Sequence, residues 1–440
     1  MTHLSSLKNF LSTNRDDKQT IAKNLFWLFA TQGSRIFRAI LMIYAARVLG
    51  VAEYGVFSYV LGLAGLVLLF SDLGVGEILV RDVAGKKDRR HEYFTASFWI
   101  RIIPTLIFSF VIIFVTPHIS NFKIAVSLIF LGIIFTVFDN LRTLIISYLR
   151  GLQKMEKETL IAGIMNLVFL GFGFLILLKY PRARGLLMVY ALSAATGALA
   201  GAFIIRKTLA GIFRNFKKEV VIEVIKNSWP IAVFGIFGLM FNIDLIMLGW
   251  WRTPAEIGLY SAGHKLVNFS YNLPVILATA FFPALSSAIH SNNKKREKWL
   301  NEVSIAVSLA FAFPIMVLGI IFAEPIIKII LGSEYVASVT AFRIFLIALV
   351  FNFPGTAIFN IVIAHNRQKQ ILKQGIVTFG LNIGLNALLI PYIGISGAAL
   401  GTLISQAVLN VWIWIEMRKI SEFKTFNWRM FTKMHNQDIG

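Results

Sequence analysis

The sequence contains no cysteine, which excludes disulfide bonds, iron–sulfur clusters and thiolate metal sites. Charge is also scarce: 15% of the 440 residues are charged, whereas 57% are hydrophobic and the mean hydropathy is +0.72. One water-soluble core could not hide this much apolar surface. The composition therefore predicts an integral membrane protein.

Long apolar runs, separated by short polar segments, fill almost the whole chain. A helix needs about 20 apolar residues to cross the hydrocarbon layer, which is roughly 30 Å thick. We therefore predict an all-α protein with about twelve transmembrane helices, at residues 24–50, 54–80, 94–116, 122–147, 159–179, 185–205, 228–250, 257–282, 303–323, 338–363, 374–394 and 396–417.

Acidic residues are few, 22 against 43 Lys and Arg, so the formal net charge is +21. Thirty of the 43 basic residues lie in the termini and the even-numbered loops, six lie in the odd-numbered loops, and seven remain within the spans. This asymmetry follows the positive-inside rule and predicts a multi-pass protein of the cell membrane with both termini in the cytoplasm. Since topology explains the basicity, membrane lipids are expected as partners and nucleic acid is not.

One heptapeptide occurs twice, as AEYGVFS at residues 52–58 and as AEIGLYS at residues 255–261. The sixth and twelfth predicted spans also match, because Gly197 and Gly201 correspond to Gly397 and Gly401, at a spacing that lets helices approach closely. Each predicted half has an even number of spans, so both halves enter the membrane from the same side. The pattern predicts two six-helix lobes related by a parallel pseudo-two-fold repeat.

The repeat divides the chain into five predicted segments. They are a cytoplasmic N-terminal segment at 1–23, a first lobe with spans 1–6 at 24–205, a cytoplasmic linker at 206–227, a second lobe with spans 7–12 at 228–417 and a basic cytoplasmic tail at 418–440. This organisation is typical of secondary transporters with a substrate path between the lobes, although channels and membrane enzymes also contain repeats.

The basic residues within the spans indicate an anion-binding cavity. Arg35 and Arg38 lie one helical turn apart near the middle of the first span, whereas Arg47 and Arg101 are expected to reach towards the membrane surface. A buried ionisable group is costly unless it faces a cavity or a partner. The predicted substrate-binding residues are Arg35, Arg38, Arg142, Lys265 and Arg343.

Acidic residues within the spans are candidates for gating or for binding a coupling ion. Asp139 and Arg142 have the i,i+3 spacing of an ion pair, and Asp244 and Lys265 lie on neighbouring predicted spans. The predicted coupling or gate residues are Asp72, Asp139 and Asp244. No catalytic residue, metal ligand or cofactor is expected, and the coupling ion would be H⁺ or Na⁺.

The chain resembles the Wzx-like polysaccharide flippases of the multidrug/oligosaccharidyl-lipid/polysaccharide exporter superfamily. The similarity runs along nearly the whole chain and is clearest in AARVLGVAEYGVFSYVLGLAGLVLLFSDLGV and in LGSEYVASVTAFRI. Ser34-Arg35 and Ala46-Arg47-Val48-Leu49-Gly50 also match the related lipid-linked peptidoglycan precursor flippases. A second cationic position of that branch falls on Leu41, and twelve spans are predicted where that branch has fourteen.

The resemblance implies a V-shaped bundle of two lobes that alternates between inward-open and outward-open states. Its substrate would be an isoprenoid-pyrophosphate-linked oligosaccharide, its partners would include polysaccharide polymerase or assembly proteins, and it would act as a monomer. Three alternatives stay open: a multidrug–cation antiporter of the same fold, a membrane glycosyltransferase or polymerase, and a non-enzymatic scaffold. An antiporter for cations would need an acidic cavity, and a glycosyltransferase would need a sizeable outer loop with catalytic carboxylates.

Overall fold

The computed structural model describes residues 17–365 and 367–420; for most of residues 17–36 and for 230, 233–241, 279, 368–370 and 420 it describes the backbone alone. Across these residues every regular element is a helix, which confirms the predicted all-α fold. The chain divides into two compact units, Met1–Gly258 and Leu259–Gly440.

The first unit contains eight α-helices and the beginning of a ninth. They are α1 (Asp17–Asp72), α2 (Val75–Gly85), α3 (Arg90–Ile119), α4 (Val126–Gly151), α5 (Met155–Lys179), α6 (Ala183–Ile204), α7 (Arg206–Leu209), α8 (Lys218–Trp251) and α9 (Pro254–Ser270), which continues into the second unit. A 3₁₀ turn at Lys87–Arg89 joins α2 to α3. In this unit α4 and α6 pack side by side, and α1 contacts α3, α4, α5 and α8.

The second unit is built around α13. Its further helices are α10 (Asn272–His290), α11 (Lys294–Ile321), α12 (Ala323–Ile330), α13 (Val339–Ala364) and α14 (Gln368–Ile420), with a 3₁₀ helix at Ser333–Ser338. Helix α13 packs against α10, α11 and α14.

Helix α1 contains the first predicted span and most of the second. It breaks at Gly50, the last residue of the first predicted span, whose φ of 71° is a conformation that glycine adopts without a steric penalty. Helix α14 likewise contains the last two predicted spans and breaks at Ile393 and Gly394. Both breaks lie within the last two residues of a predicted span, 24–50 or 374–394.

Two predicted spans are interrupted in the observed structure. The second was expected to run to residue 80, but α1 ends at Asp72 because Leu73 and Gly74 both adopt positive φ angles, 43° and 76°. The eighth was expected as one helix over 257–282, whereas α9 ends at Ser270 and α10 begins at Asn272. Apolar composition reports the total length of a span and carries little information about a break within it.

The core of the first unit gathers α2, α3, α4 and the start of α8. Its fully buried members include Val75, Tyr93, Tyr148, Val220 and Val224. The last two lie in the predicted linker 206–227, so the first turns of α8 are a packed helical element. The predicted lobe boundaries stay a prediction.

Nine stretches of the described residues are long and apolar enough to cross a membrane, among them Phe37–Asp72, Val126–Gly151 and Lys294–Ile321. Many of their large apolar side chains are exposed, as expected for surfaces that face lipid. The protein is therefore a multi-pass membrane protein.

Candidate functional site

Asp72 occupies the junction between α1 and α2. Its Oδ1 accepts a hydrogen bond of 2.9 Å from the backbone N–H of Gly76 and so caps the first turn of α2. The left-handed turn at Leu73 and Gly74 brings the two helix ends together, and a Cβ at Gly74 would lie 2.6 Å from the Cβ of Ile231 in α8. The Asp72 side chain is still 44% exposed, so the predicted gate residue remains accessible.

Arg101, in α3, contacts both neighbouring helices. Its Nη2 donates to the Thr143 hydroxyl of α4 at 2.9 Å, and its Nη1 lies 3.5 Å from the Asp72 Oδ1 of α1. The residue is only 3% exposed, so the expectation that it reaches towards the membrane surface is wrong. Its Nε and Nη1 donate no hydrogen bond to any described protein atom.

Asp139 and Arg142 form the predicted i,i+3 ion pair on α4. The Nε and Nη2 of Arg142 both donate to Asp139 Oδ1, at 2.9 and 2.6 Å. Gly197 of α6 makes room for the arginine, since a Cβ there would lie 2.9 Å from its Cδ. Gly197, where a close helix approach was predicted, therefore packs against Arg142, a predicted substrate-binding residue.

Hydroxyl and amide groups complete this polar cluster. The Thr105 hydroxyl lies 2.9 Å from the Ser71 hydroxyl and accepts a hydrogen bond from the Asn140 side-chain amide. The cluster joins α1, α3 and α4, and most of its side chains are buried, whereas Asp72 is 44% exposed. Two arginines and two carboxylates balance one another within it, so this part of the first unit carries no net charge when all four are ionised.

Arg38 has different surroundings. Its guanidinium carbon lies 4.7 Å from the centre of the Phe169 ring and 5.8 Å from that of Tyr190. These ring faces, from α5 and α6, stabilise the cation without using its N–H donors. Arg38 makes no hydrogen bond or ion pair with the residues that the structure describes, so the edge of its guanidinium is free to bind a ligand.

The position of Arg38 relative to Arg142 can be followed along α6. Tyr190 faces Arg38 and Gly197 faces Arg142. Seven residues at 1.5 Å per residue separate these two contacts by about 10 Å along the helix. The structure therefore places both arginines beside α6, whereas the side chain of Arg35 lies outside the described residues.

The remaining predicted site residues are dispersed. Asp244 is fully buried near the end of α8 in the first unit, and Lys265 is half-buried in α9 in the second. Arg343 is exposed on α13. The nearby Glu324 pairs with Lys328 at 2.7 Å, and this hydrogen bond is the main cause of its lowered pKa, to which the charge of Arg343 adds a small part. Pairing of Asp244 with Lys265 stays a prediction.

Neutral amides form a polar group in the second unit that the sequence did not single out. The Asn352 amide donates to Gln406 Oε1 at 2.7 Å, and the Asn410 amide donates to the Gln406 backbone carbonyl at 2.8 Å. Asn and Gln carry no charge that would mark them within an apolar run. The i,i+4 spacing of Gln406 and Asn410 was the feature of the sequence that could have predicted this polar group.

Two family models match the chain. The model for polysaccharide biosynthesis proteins matches residues 21–289, more than half of the chain, and the MatE model matches residues 231–388. A relative in Haloferax volcanii, named a probable low-salt glycan biosynthesis flippase, is 22% identical over 374 residues, which are 83% of this chain and 76% of the relative.

Solved structures show the same fold. The lipid II flippase MurJ in an inward closed conformation has a TM-score of 0.75 at 17% identity and covers 93% of this chain and 89% of its own. An inward-facing multidrug resistance transporter of the MATE family has a TM-score of 0.67 at 16% identity, covering 88% and 98%. Because the first model matches more than half of the chain, the chain belongs to the polysaccharide biosynthesis protein family.

Proposed function

We propose that the protein is a flippase, not an enzyme, and that it moves an isoprenoid-pyrophosphate-linked oligosaccharide from the cytoplasmic to the outer leaflet of the cell membrane. The observation that carries this proposal is the orientation of Arg38, because two ring faces hold its guanidinium while its N–H groups stay free. A guanidinium with free N–H groups can bind phosphate oxygens through two parallel hydrogen bonds.

The predicted twelve spans in two six-helix lobes are part of this proposal. Helices α1 and α14 contain 56 and 53 residues. At 1.5 Å per residue each is about 80 Å long, more than twice the roughly 30 Å of the hydrocarbon layer. Two spans in each of these helices, with one each in α3, α4, α5, α6, α8, α9–α10, α11 and α13, would give twelve. An even number puts both termini on the same side of the membrane, which we propose is the cytoplasmic side because of the charge asymmetry of the loops.

In the proposed mechanism the pyrophosphate binds Arg38, assisted by Arg35, Arg142, Lys265 and Arg343, while the isoprenoid chain stays in the lipid. No covalent bond changes. The sequence lacks a GxxxxGK[ST] phosphate-binding loop, so an H⁺ or Na⁺ gradient would drive the alternation of the two lobes.

The pairing of Arg142 with Asp139 suggests how ion binding would be coupled to substrate binding. Its Nε and Nη2 donors are already directed at Asp139, so phosphate oxygens and this carboxylate compete for them. Protonation of Asp139 would release the arginine to the substrate. Asp72 and Asp244 are the other proposed coupling positions.

Binding measured by native mass spectrometry tests the proposal. We expect the protein to retain an isoprenoid-pyrophosphate-linked sugar in preference to a lipophilic cation. Arg38→Ala should weaken retention of the pyrophosphate lipid about tenfold to a hundredfold, since a charge-assisted hydrogen bond contributes about 1.5–3 kcal/mol. Arg47→Ala is the matched control, because Arg47 lies on the same helix and is exposed.

The two alternatives within the superfamily give different results in the same experiment. Preferential retention of the lipophilic cation would identify a multidrug antiporter and contradict the proposal. Retention of a lipid-linked peptidoglycan precursor alone would assign the protein to that branch.

A further inference from the structure

The two copies of the repeated heptapeptide contact each other in the first unit. A Cβ on Gly55 would lie 1.7 Å from the carbonyl oxygen of Pro254, and a Cβ on Gly258 would lie 1.9 Å from the carbonyl oxygen of Val51. The same Cβ on Gly258 would lie 3.1 Å from the Gly55 nitrogen. Only glycine fits at either position, because no side chain can occupy such a space.

The contact is reciprocal. Position 258 is 203 residues after 55, and position 254 is 203 residues after 51. Val51 and Pro254 are therefore equivalent positions of the two repeats, as are Gly55 and Gly258. The carbonyl of Pro254 faces Gly55, and the carbonyl of Val51 faces Gly258. Contacts around a two-fold axis have this form, in which residue i of one copy meets j of the other and j meets i.

The crossing continues as a seam along α1. Towards the end of that helix, a Cβ on Gly62 would lie 3.3 Å from Leu245 and one on Gly65 would lie 2.8 Å from the Asn242 side chain. Gly249 of α8 packs against the Tyr59 ring, since a Cβ on Gly249 would lie 2.1 Å from the ring atom Cε2. Small residues on one face let membrane helices approach closely, so α1 contacts the start of α9 near Gly55 and contacts α8 from Gly62 as far as the turn at Gly74, which meets Ile231.

The glutamate of each heptapeptide has its partners on its own side of the contact, on another helix for Glu53 and within the same turn for Glu256. Glu53 accepts a hydrogen bond of 2.6 Å from the Ala183 N–H and so caps α6, in the predicted first lobe. Glu256 accepts from the Thr253 N–H at 3.1 Å and lies 3.6 Å from Arg252, in the predicted second lobe. The heptapeptides themselves meet through backbone atoms.

We propose that residues 51–58 and 254–258 are the two halves of a gate at the outer end of the transport path, which closes when Gly55 and Gly258 come together. This inference rests on the proposed transport function and on the predicted topology, which puts both heptapeptides at the outer surface. Opening breaks backbone packing and leaves each half attached to its own lobe. Closing requires glycine on both sides.

Thiol labelling tests the gate directly, because the natural chain offers no competing cysteine. Ser58, three residues after Gly55, is 2% exposed, so Ser58→Cys should react slowly with a membrane-impermeant thiol reagent added from outside. Adding Gly55→Leu or Gly258→Leu should hold the gate open and speed this labelling at least tenfold. Gly171→Leu is the matched control, since a Cβ at Gly171 has nothing within 4 Å.

A second variant keeps the proposal testable if the leucines impair folding. This variant carries both Val51→Cys and Pro254→Cys, which a short bifunctional thiol reagent can crosslink. The crosslink should abolish transport, and its cleavage by reduction should restore transport. The same reagent should have no effect on either single-cysteine variant. Unchanged labelling in folded leucine variants, or full transport by the crosslinked protein, would overturn the gate. Failure of the unmodified protein to move pyrophosphate lipids would instead refute the proposed function, because the labelling arms need no substrate.

Discussion

Arg101 shows how a buried charge is stabilised by residues distant in the sequence. It donates to Thr143 and approaches Asp72, on helices that lie 42 residues after it and 29 residues before it in the chain. Asp139 and Arg142, by contrast, were predicted as a pair because they lie one turn apart on one helix. Spacing along a helix predicts local pairs, but a single sequence carries no signal for a partner on another helix.

We expect Arg101→Ala to destabilise the protein by about 2–4 kcal/mol, because it removes a buried hydrogen bond and part of the packing between three helices. The cost stays below that of a fully buried pair, since Asp72 retains access to solvent. The apparent unfolding temperature in detergent measures the effect. Arg47→Ala, at an exposed position of α1, should change it little, and equal temperatures for the two variants would contradict this account of Arg101.

Asp139→Asn should release Arg142 from its carboxylate. We expect retention of the pyrophosphate lipid at neutral pH to improve by up to about tenfold, equivalent to ~1.4 kcal/mol, and the dependence of transport on the proton gradient to decline. Binding titrations and transport at several gradients check both effects. Asp88→Asn, at an exposed position of the 3₁₀ turn, serves as the control. If Asp139→Asn weakened binding as much as Arg142→Ala does, Asp139 would position the arginine and would not compete for it.

At the scale of elements, an ion-pair network fixes the start of α8 against α2 and α3. Lys86 Nζ donates to Glu223 Oε1 at 2.6 Å, and the Tyr93 hydroxyl donates to the same carboxylate at 2.8 Å. Lys217 and Glu92 form a further pair at 2.5 Å. The sequence predicted a linker here, because eight of the 22 residues at 206–227 are charged and interrupt the apolar runs. The burial of Val220 and Val224 depends on packing against α2, α3 and α4, which the local sequence does not reveal.

The same network predicts a pH dependence. Hydrogen bonds from Lys86 and Tyr93 lower the pKa of Glu223, and hydrogen bonds to Glu223 and Tyr93 raise the pKa of Lys86. The glutamate's stabilisation is present above its unfolded pKa, about 4.3, and is lost as the pH falls through its lowered value. The lysine's stabilisation is present below its unfolded pKa, about 10.4, and is lost as the pH rises through its raised value.

Glu223→Gln should therefore loosen the first turns of α8 at neutral pH. We expect amide hydrogen exchange over residues 218–226 to accelerate about two- to fivefold, the effect of losing one partly exposed pair. Glu219→Gln, on an exposed position of the same helix, should leave the exchange rates unchanged. Equal rates in both variants would show that apolar packing alone holds this end of α8.

At the scale of the whole molecule, composition and charge asymmetry predicted an all-helical, multi-pass membrane protein, because both depend on sums over many residues. The breaks within α1 and α14 fall at the ends of the predicted spans 24–50 and 374–394, because apolar runs locate the spans approximately. The contact between Gly55 and Gly258 could not be predicted from the repeat, which shows that two segments are equivalent and not that they touch. The site was predicted in part: Arg38 and Arg142 both lie beside α6, whereas Arg101 was misassigned.

Transport in reconstituted vesicles measures the proposed flippase activity itself. A fluorescent isoprenoid-pyrophosphate-linked sugar would be placed in one leaflet, and its appearance in the other would be followed by quenching under an imposed H⁺ or Na⁺ gradient. We expect gradient-driven movement of the lipid by the unmodified protein and by Arg47→Ala. The rate of movement should be at least tenfold lower for Arg38→Ala. Movement by Arg38→Ala at the unmodified rate would contradict it.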